Sequence, residues 1–139
     1  MLHLLGPGST VQAIGSQLGI KKNLLGIDAI AGSKVVGNDL AERQILELLT
    51  RFKERKLVLS PIGAQGFVLG RGNLPLSPPV IRMIGLENLV LVATPAKLAR
   101  TPLLRFDTGA ASLDAELIAR KFLPVIVGYH RMRMVKIAA

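Results

Sequence analysis

The stretch from Asn88 to Ala93, NLVLVA, runs apolar without alternation. A strand that shows water neither of its faces has this pattern, so the stretch predicts a place near the centre of a sheet covered on both sides. Thr94-Pro95-Ala96-Lys97 follows at once, an N-cap residue and a proline at the first helical position. Strand, turn and helix recur along the chain. Leu2 to Leu5 is a short apolar strand, Gly6-Pro7-Gly8-Ser9-Thr10 a turn, and Val11, Ile14 and Leu18 return at helical spacing until Gly19. Asn38 to Glu42 predicts a helix start, with Asp39 and Glu42 at capping-box spacing and Ile45, Leu48, Leu49 and Phe52 on one face. Ser77-Pro78 opens a short helix through Val80, Ile81 and Ile84 that Gly85 closes. Ser112 is expected to cap a last helix, with Leu113, Leu117, Ile118 and Phe122 inward. At least four capped helices between strands predict an α/β fold: one domain, a mixed central sheet with helices packed on it.

The other expected strands are Leu24 to Ile30, which turns through Ala31-Gly32-Ser33-Lys34 into Val35-Val36, then Leu57 to Leu59, Phe67 to Leu69 and Leu103 to Phe106. A terminal hairpin pairs Pro124–Val127 with Met132–Ile137 across Gly128-Tyr129-His130-Arg131. Asp28 lies inside an apolar run, where a carboxylate needs a partner. Backbone N–H groups at a turn would satisfy it, and so would a ligand. The role of Asp107, in Asp107-Thr108-Gly109, is equally open.

Two glycine turns flank the strand at Phe67 to Leu69. The first, Ser60-Pro61-Ile62-Gly63-Ala64-Gln65-Gly66, precedes it, and Gly70-Arg71-Gly72-Asn73 follows it. Glycines let backbone N–H groups approach a ligand, and concave runs of such groups bind anions. Arg71 places a bidentate cation between two glycines, suited to phosphate or carboxylate. Gly6, Gly8, Ser9 and Thr10 stand where a strand turns into a helix N-terminus, which favours anions. Thr94 and Lys97 join these candidates, because sites in open α/β sheets collect at the carboxyl ends of strands. All these turns could equally connect strands and bind nothing, with Thr94 a cap and Lys97 a surface cation.

Composition narrows the classes. Half of the 139 residues are hydrophobic, yet no apolar run approaches the roughly eighteen residues of a membrane span. A soluble protein without membrane contact is expected. The chain has no cysteine, which excludes disulfides and thiolate chemistry and is compatible with the cytoplasm. His3 and His130 are its only two histidines, so no histidine metal cluster is expected. The formal net charge of +9 invites a nucleic-acid reading, but the cations are scattered and only five aromatic residues are present to stack on bases. Attraction of a polyanionic nucleotide accounts for the charge as well, as does a fragment whose acidic partner lies elsewhere.

Taken in order, GPGST, LLGID, SPIGAQGFVLGRGN, LSPPVIR, NLVLVATPAKLA and FDTG resemble the C-terminal region of the ATP-NAD kinase-like family that includes acetoin catabolism protein X. The resemblance runs from Leu4 to about Lys136. It implies a parent phosphotransferase that moves a phosphoryl group from ATP or polyphosphate, with Mg, to the adenosine ribose of NAD. It further implies that this region helps to hold NAD or ATP. Ser60 to Gly66 would stand for the glycine loop of the NAD site, with Ala64 and Gln65 where hydroxyl residues are common. The resemblance carries over Gly63, Gln65, Gly66, Gly70, Arg71, Gly72, Asn73, Thr94 and Lys97 as site-lining residues.

The family's Gly-Gly-Asp-Gly motif occurs nowhere in these residues. Phosphoryl transfer needs acids, cations and metal positioned together. The chain is therefore expected to be inactive alone, a domain apart from an N-terminal kinase partner, with homo-oligomerisation through an exposed apolar face as a further possibility. Two rival readings stand beside this one. GPGSTVQAIGSQLG also resembles the phosphate turn of sugar-phosphate isomerases and related sensor domains, over the first twenty residues only. A noncatalytic oligomerisation or regulatory module would bind no nucleotide.

Overall fold

The computed structural model describes residues 1–17, 19, 26–32, 34–70 and 73–139. Among them the chain forms nine strands and five α-helices in one mixed sheet. Four parallel strands make its middle: β1 (Leu2–Leu5), β4 (Arg55–Leu59), β6 (Leu89–Val92) and β8 (Phe122–Gly128). The cross-sheet register sets Leu4 beside Leu57, Leu57 beside Leu89, and Leu91 beside Val125. On one side β2 (Asp28–Ala31) pairs antiparallel with β1, and β3 (Lys34–Gly37) forms the outer edge. On the other, β9 (Arg131–Ile137) returns antiparallel to β8, followed by β7 (Leu103–Phe106) and the edge strand β5 (Phe67–Leu69). The strand order is β3-β2-β1-β4-β6-β8-β9-β7-β5, so the unbroken apolar run of β6 holds the middle place, as its pattern predicts.

Helices α1 (Ser9–Gln17), α2 (Glu42–Arg51), α3 (Pro78–Ile84), α4 (Pro95–Arg100) and α5 (Ala111–Ala119) fall between the strands. The main core joins Ile45, Leu48 and Leu49 of α2, Val80, Ile81 and Ile84 of α3, Leu98 of α4, and Leu113 and Leu117 of α5. These meet Leu4, Leu57, Leu59, Leu104, Val125 and Ile137 of the sheet. Each such side chain, buried in full, contributes about 1.5–3 kcal/mol. A smaller cluster, Leu5, Val11, Ile30 and Val92 with Ile14, Val58 and Val90 packed against it, draws on one helix among the described residues, α1.

Several ends differ from the sequence expectation. The N-cap of α2 is Ala41, whose N–H donates to the Gln44 side chain at 2.9 Å. Asp39 instead has φ +47° and donates its N–H to the Asp28 carboxylate at 2.7 Å, tying the approach to α2 to the start of β2. The buried Asp28 is thus held by a backbone amide, one of the two readings open from sequence. α5 begins at Ala111 rather than beyond Ser112, because Thr108 and Asp114 supply the local polar contacts. The Thr108 N–H and hydroxyl both donate to Asp114 Oδ1, at 3.0 and 2.7 Å, while Ser112 Oγ accepts from Arg82 at 3.2 Å. Phe122, expected inward on that helix, starts β8 and is 48% exposed. The helix ends at Ala119, before the stripe of 3.6-residue period reaches it.

Arg55 stabilises the far end of α2: its Nη1 donates to the carbonyls of Leu49 and Phe52 at 2.9 and 2.8 Å, and its Nη2 to that of Met83. Cations there offset the helix dipole and the unpaired last carbonyls. Among the described residues, no helix is long and apolar enough to cross a membrane.

Candidate functional site

Three neighbouring parallel strands, β1, β4 and β6, end at the same edge of the sheet, and the turns leaving them converge. Gly8, Ser9 and Thr10 follow β1, Ser60 to Gly63 follow β4, and Thr94, Lys97 and Arg100 follow β6. Together they line a cleft of about 310 Å³. Two of the three turns lead directly into helices, α1 and α4, and the first N–H groups of α1 lack intrahelical partners. The carboxyl edge of a parallel sheet is the expected place for such a site.

Local chemistry fixes each wall. Thr94 accepts the Lys97 N–H on its Oγ1 at 3.1 Å and Pro95 occupies the first helical position, so α4 starts as its sequence predicts. The Lys97 ammonium donates to the Gly63 carbonyl at 2.7 Å, which holds the β4 turn against α4. The Thr101 hydroxyl donates to the Lys97 carbonyl at 2.7 Å and anchors the same residue from below. Among the described residues the lining then offers the hydroxyls of Ser9, Thr10, Ser60 and Thr94, two cations at Lys97 and Arg100, and no carboxylate. That donor set suits an anion, phosphate above all. It does not suit a divalent cation, and the described residues hold no group of three His, Cys, Asp or Glu side chains arranged for one. The lining therefore fits phosphate groups and does not fit the Mg that the resemblance implies.

Of the candidates from sequence, the cleft brings together Gly8, Ser9, Thr10, Gly63, Thr94 and Lys97. Gly6 lies just beneath it, where a Cβ would meet Leu59 Cδ2 at 2.7 Å. Gln65 is exposed, and its carbonyl accepts from Arg105 Nε at 3.1 Å. Gly66 and Gly70 pack on the backbone of β7 and the residue after it: a Cβ would come 2.7 Å from Leu103 O and 1.8 Å from Asp107 O. Asn73 is 1% exposed, and its carboxamide accepts from the Gly70 N–H at 3.0 Å and donates to the Val68 carbonyl at 2.8 Å. Arg71 and Gly72, the proposed cationic cradle, lie outside the described residues. So do Leu24 and Leu25, expected in the second strand, as well as Leu18 and Ser33.

Arg100 is the lining residue that motif reading passed over. It stands three places after Lys97 on the same helix, and that spacing puts both cations on one helical face. Ser60 and Pro61, within the glycine loop but not singled out, complete the wall together with Ile62.

A family model described as the ATP-NAD kinase C-terminal domain matches residues 1–137. No curated protein and no solved structure matches the chain.

Proposed function

The chain belongs to the ATP-NAD kinase C-terminal domain family, and from that premise we propose that it holds the phosphates of an adenine nucleotide, NAD or ATP, in the cleft at the ends of β1, β4 and β6. The supporting observation is the convergence of four hydroxyl side chains, Lys97 and Arg100 with no opposing carboxylate among the described residues. Charge-assisted hydrogen bonds from such groups to phosphate oxygens are about twice as strong as neutral ones. At about 310 Å³ the cleft lies at the small end of ligand sites, which run from about 300 to 1,000 Å³. It holds the phosphate portion of the nucleotide and leaves base and ribose to surfaces beyond it.

In this reading the domain binds and orients, and a Gly-Gly-Asp-Gly-bearing partner supplies the acid of phosphoryl transfer. The chain alone then forms no NADP. Isothermal titration with NAD, ATP and ribose 5-phosphate, alongside an NADP-formation assay, tests this. We expect heat from NAD or ATP, about tenfold weaker binding in Lys97→Ala/Arg100→Ala, and no NADP. Preferential binding of ribose 5-phosphate would favour the sugar-phosphate reading, which draws on the same GPGST turn. No binding of any phosphate would leave a regulatory or oligomerisation module. NADP formed by this chain alone would overturn its assignment as inactive.

A further inference from the structure

The walls of the cleft end with the β6 turn, and the next strand of the sheet, β8, runs parallel to β6. Leu91 pairs with Val125 and Val92 with Ile126, and the Ala93 N–H donates to the Ile126 carbonyl at 3.0 Å. One residue further, β6 enters the turn that opens with Thr94, a lining residue of the cleft. β8 leaves the sheet at the same edge. It ends at Gly128, and Tyr129-His130 forms the tip of the hairpin that returns at Arg131. Neighbouring strands lie about 4.8 Å apart, so this tip stands beside the cleft, one strand beyond the last of its walls.

Turn chemistry does not account for the residues at this tip. Tight hairpins favour Gly, Asn, Asp or Ser, which reach positive φ or bond their own backbone. Here a tyrosine and a histidine take the two positions, and His130 adopts φ +54° despite its Cβ. β8 also carries an extra residue just before the tip. Ile126 pairs with Met132 and Gly128 with Arg131, so Val127 is the added residue of a β-bulge. Bulges re-aim neighbouring side chains and collect beside active sites. At the tip two rings meet, with centroids 4.0 Å apart and planes at 65°. Tyr129 is nonetheless 88% exposed, which leaves its ring open to a further aromatic partner.

We propose that Tyr129 is the stacking platform for the base of the nucleotide whose phosphates lie in the cleft. The inference rests on the phosphate reading of that cleft, which leaves the base outside it. Adenine is common to NAD and ATP and offers a flat π-face. Stacking on a tyrosine gains affinity from that face without reading the edges of the base. Lys97 and Arg100 then hold one end of the ligand by charge, and Tyr129 holds the other by aromatic contact.

The chain has one tyrosine, so in a tyrosine-labelled sample every labelled ring signal belongs to Tyr129. Two probes separate the parts of the account: inorganic tripolyphosphate, which brings phosphates without a base, and ATP, which brings both. ATP is expected to move the Tyr129 ring-proton signals upfield through the ring current of adenine. Tripolyphosphate is expected to bind and leave them nearly still. Tyr129→Ala is expected to weaken ATP binding about tenfold and leave tripolyphosphate binding unchanged, while Tyr129→Phe, which keeps the ring, retains ATP affinity. ATP binding with unmoved ring signals, a shift as large with tripolyphosphate, or undiminished ATP affinity in Tyr129→Ala would overturn the platform and leave the phosphate site standing. Binding of neither probe would overturn the phosphate site and the platform with it. The ring signals are read on the unaltered chain, so the test stands even if Tyr129→Ala fails to fold.

Discussion

Gly8 and Gly63 border the cleft, and a Cβ built at either meets no atom within 4 Å. At Gly66 and Gly70, in the turns around β5, the same Cβ would press to 2.7 and 1.8 Å from backbone oxygens of Leu103 and Asp107. Both pairs have positive φ and both sit in glycine-rich turns. What separates them is the space beyond Cα. Where it is empty and faces hydroxyls and cations, glycine leaves the backbone of the turn open to the cleft. Where a neighbouring strand fills it, glycine permits close packing, and the chemistry there is structural.

The sharpest way to break this contrast is Gly70→Ala. The new methyl would collide with a carbonyl at a φ of +106°, and we expect a loss of about 4 kcal/mol in urea unfolding. A loss near that of an ordinary surface change would dissolve the distinction. Asn73→Ala comes next. It strips the Gly70 N–H and the Val68 carbonyl of their side-chain partner, for about 3 kcal/mol by the same measurement. On the cleft side, Lys97→Ala/Arg100→Ala is expected to weaken nucleotide binding about tenfold, equivalent to about 1.4 kcal/mol, with a smaller effect on folding. Gly63→Ala sits at φ +70° with open space around it and is expected to destabilise by about 1 kcal/mol, a fraction of the Gly70→Ala effect.

Much of the architecture was legible from local pattern. The non-alternating β6, the proline-started α3 and α4, and the terminal hairpin all lie where periodicity and turn residues predict them. Helix starts at α2 and α5 were harder, because side chains distant from the nominal cap took over. Asp28 draws in the Asp39 amide from eleven residues away, and Asp114 gathers Thr108 from six. Glycine spacing marked both kinds of turn without distinguishing them. The difference lies in contacts with β7, and β7 comes more than thirty residues later in the chain. Arg100 was hidden because its place in the cleft comes from helical phase and from three loops meeting, not from a motif.

The central claim is that the phosphate site lies at the ends of β1, β4 and β6 and not in the turns around β5. Amide NMR of the ¹⁵N-labelled chain titrated with ATP or NAD tests this most directly. We predict shifts at Gly8, Ser9, Thr10, Gly63 and Lys97, with Gly66, Gly70 and Asn73 nearly still. Shifts concentrated from Gly66 to Asn73, with the Gly8–Thr10 amides unmoved, would contradict it and return the site to the loop that carries Arg71.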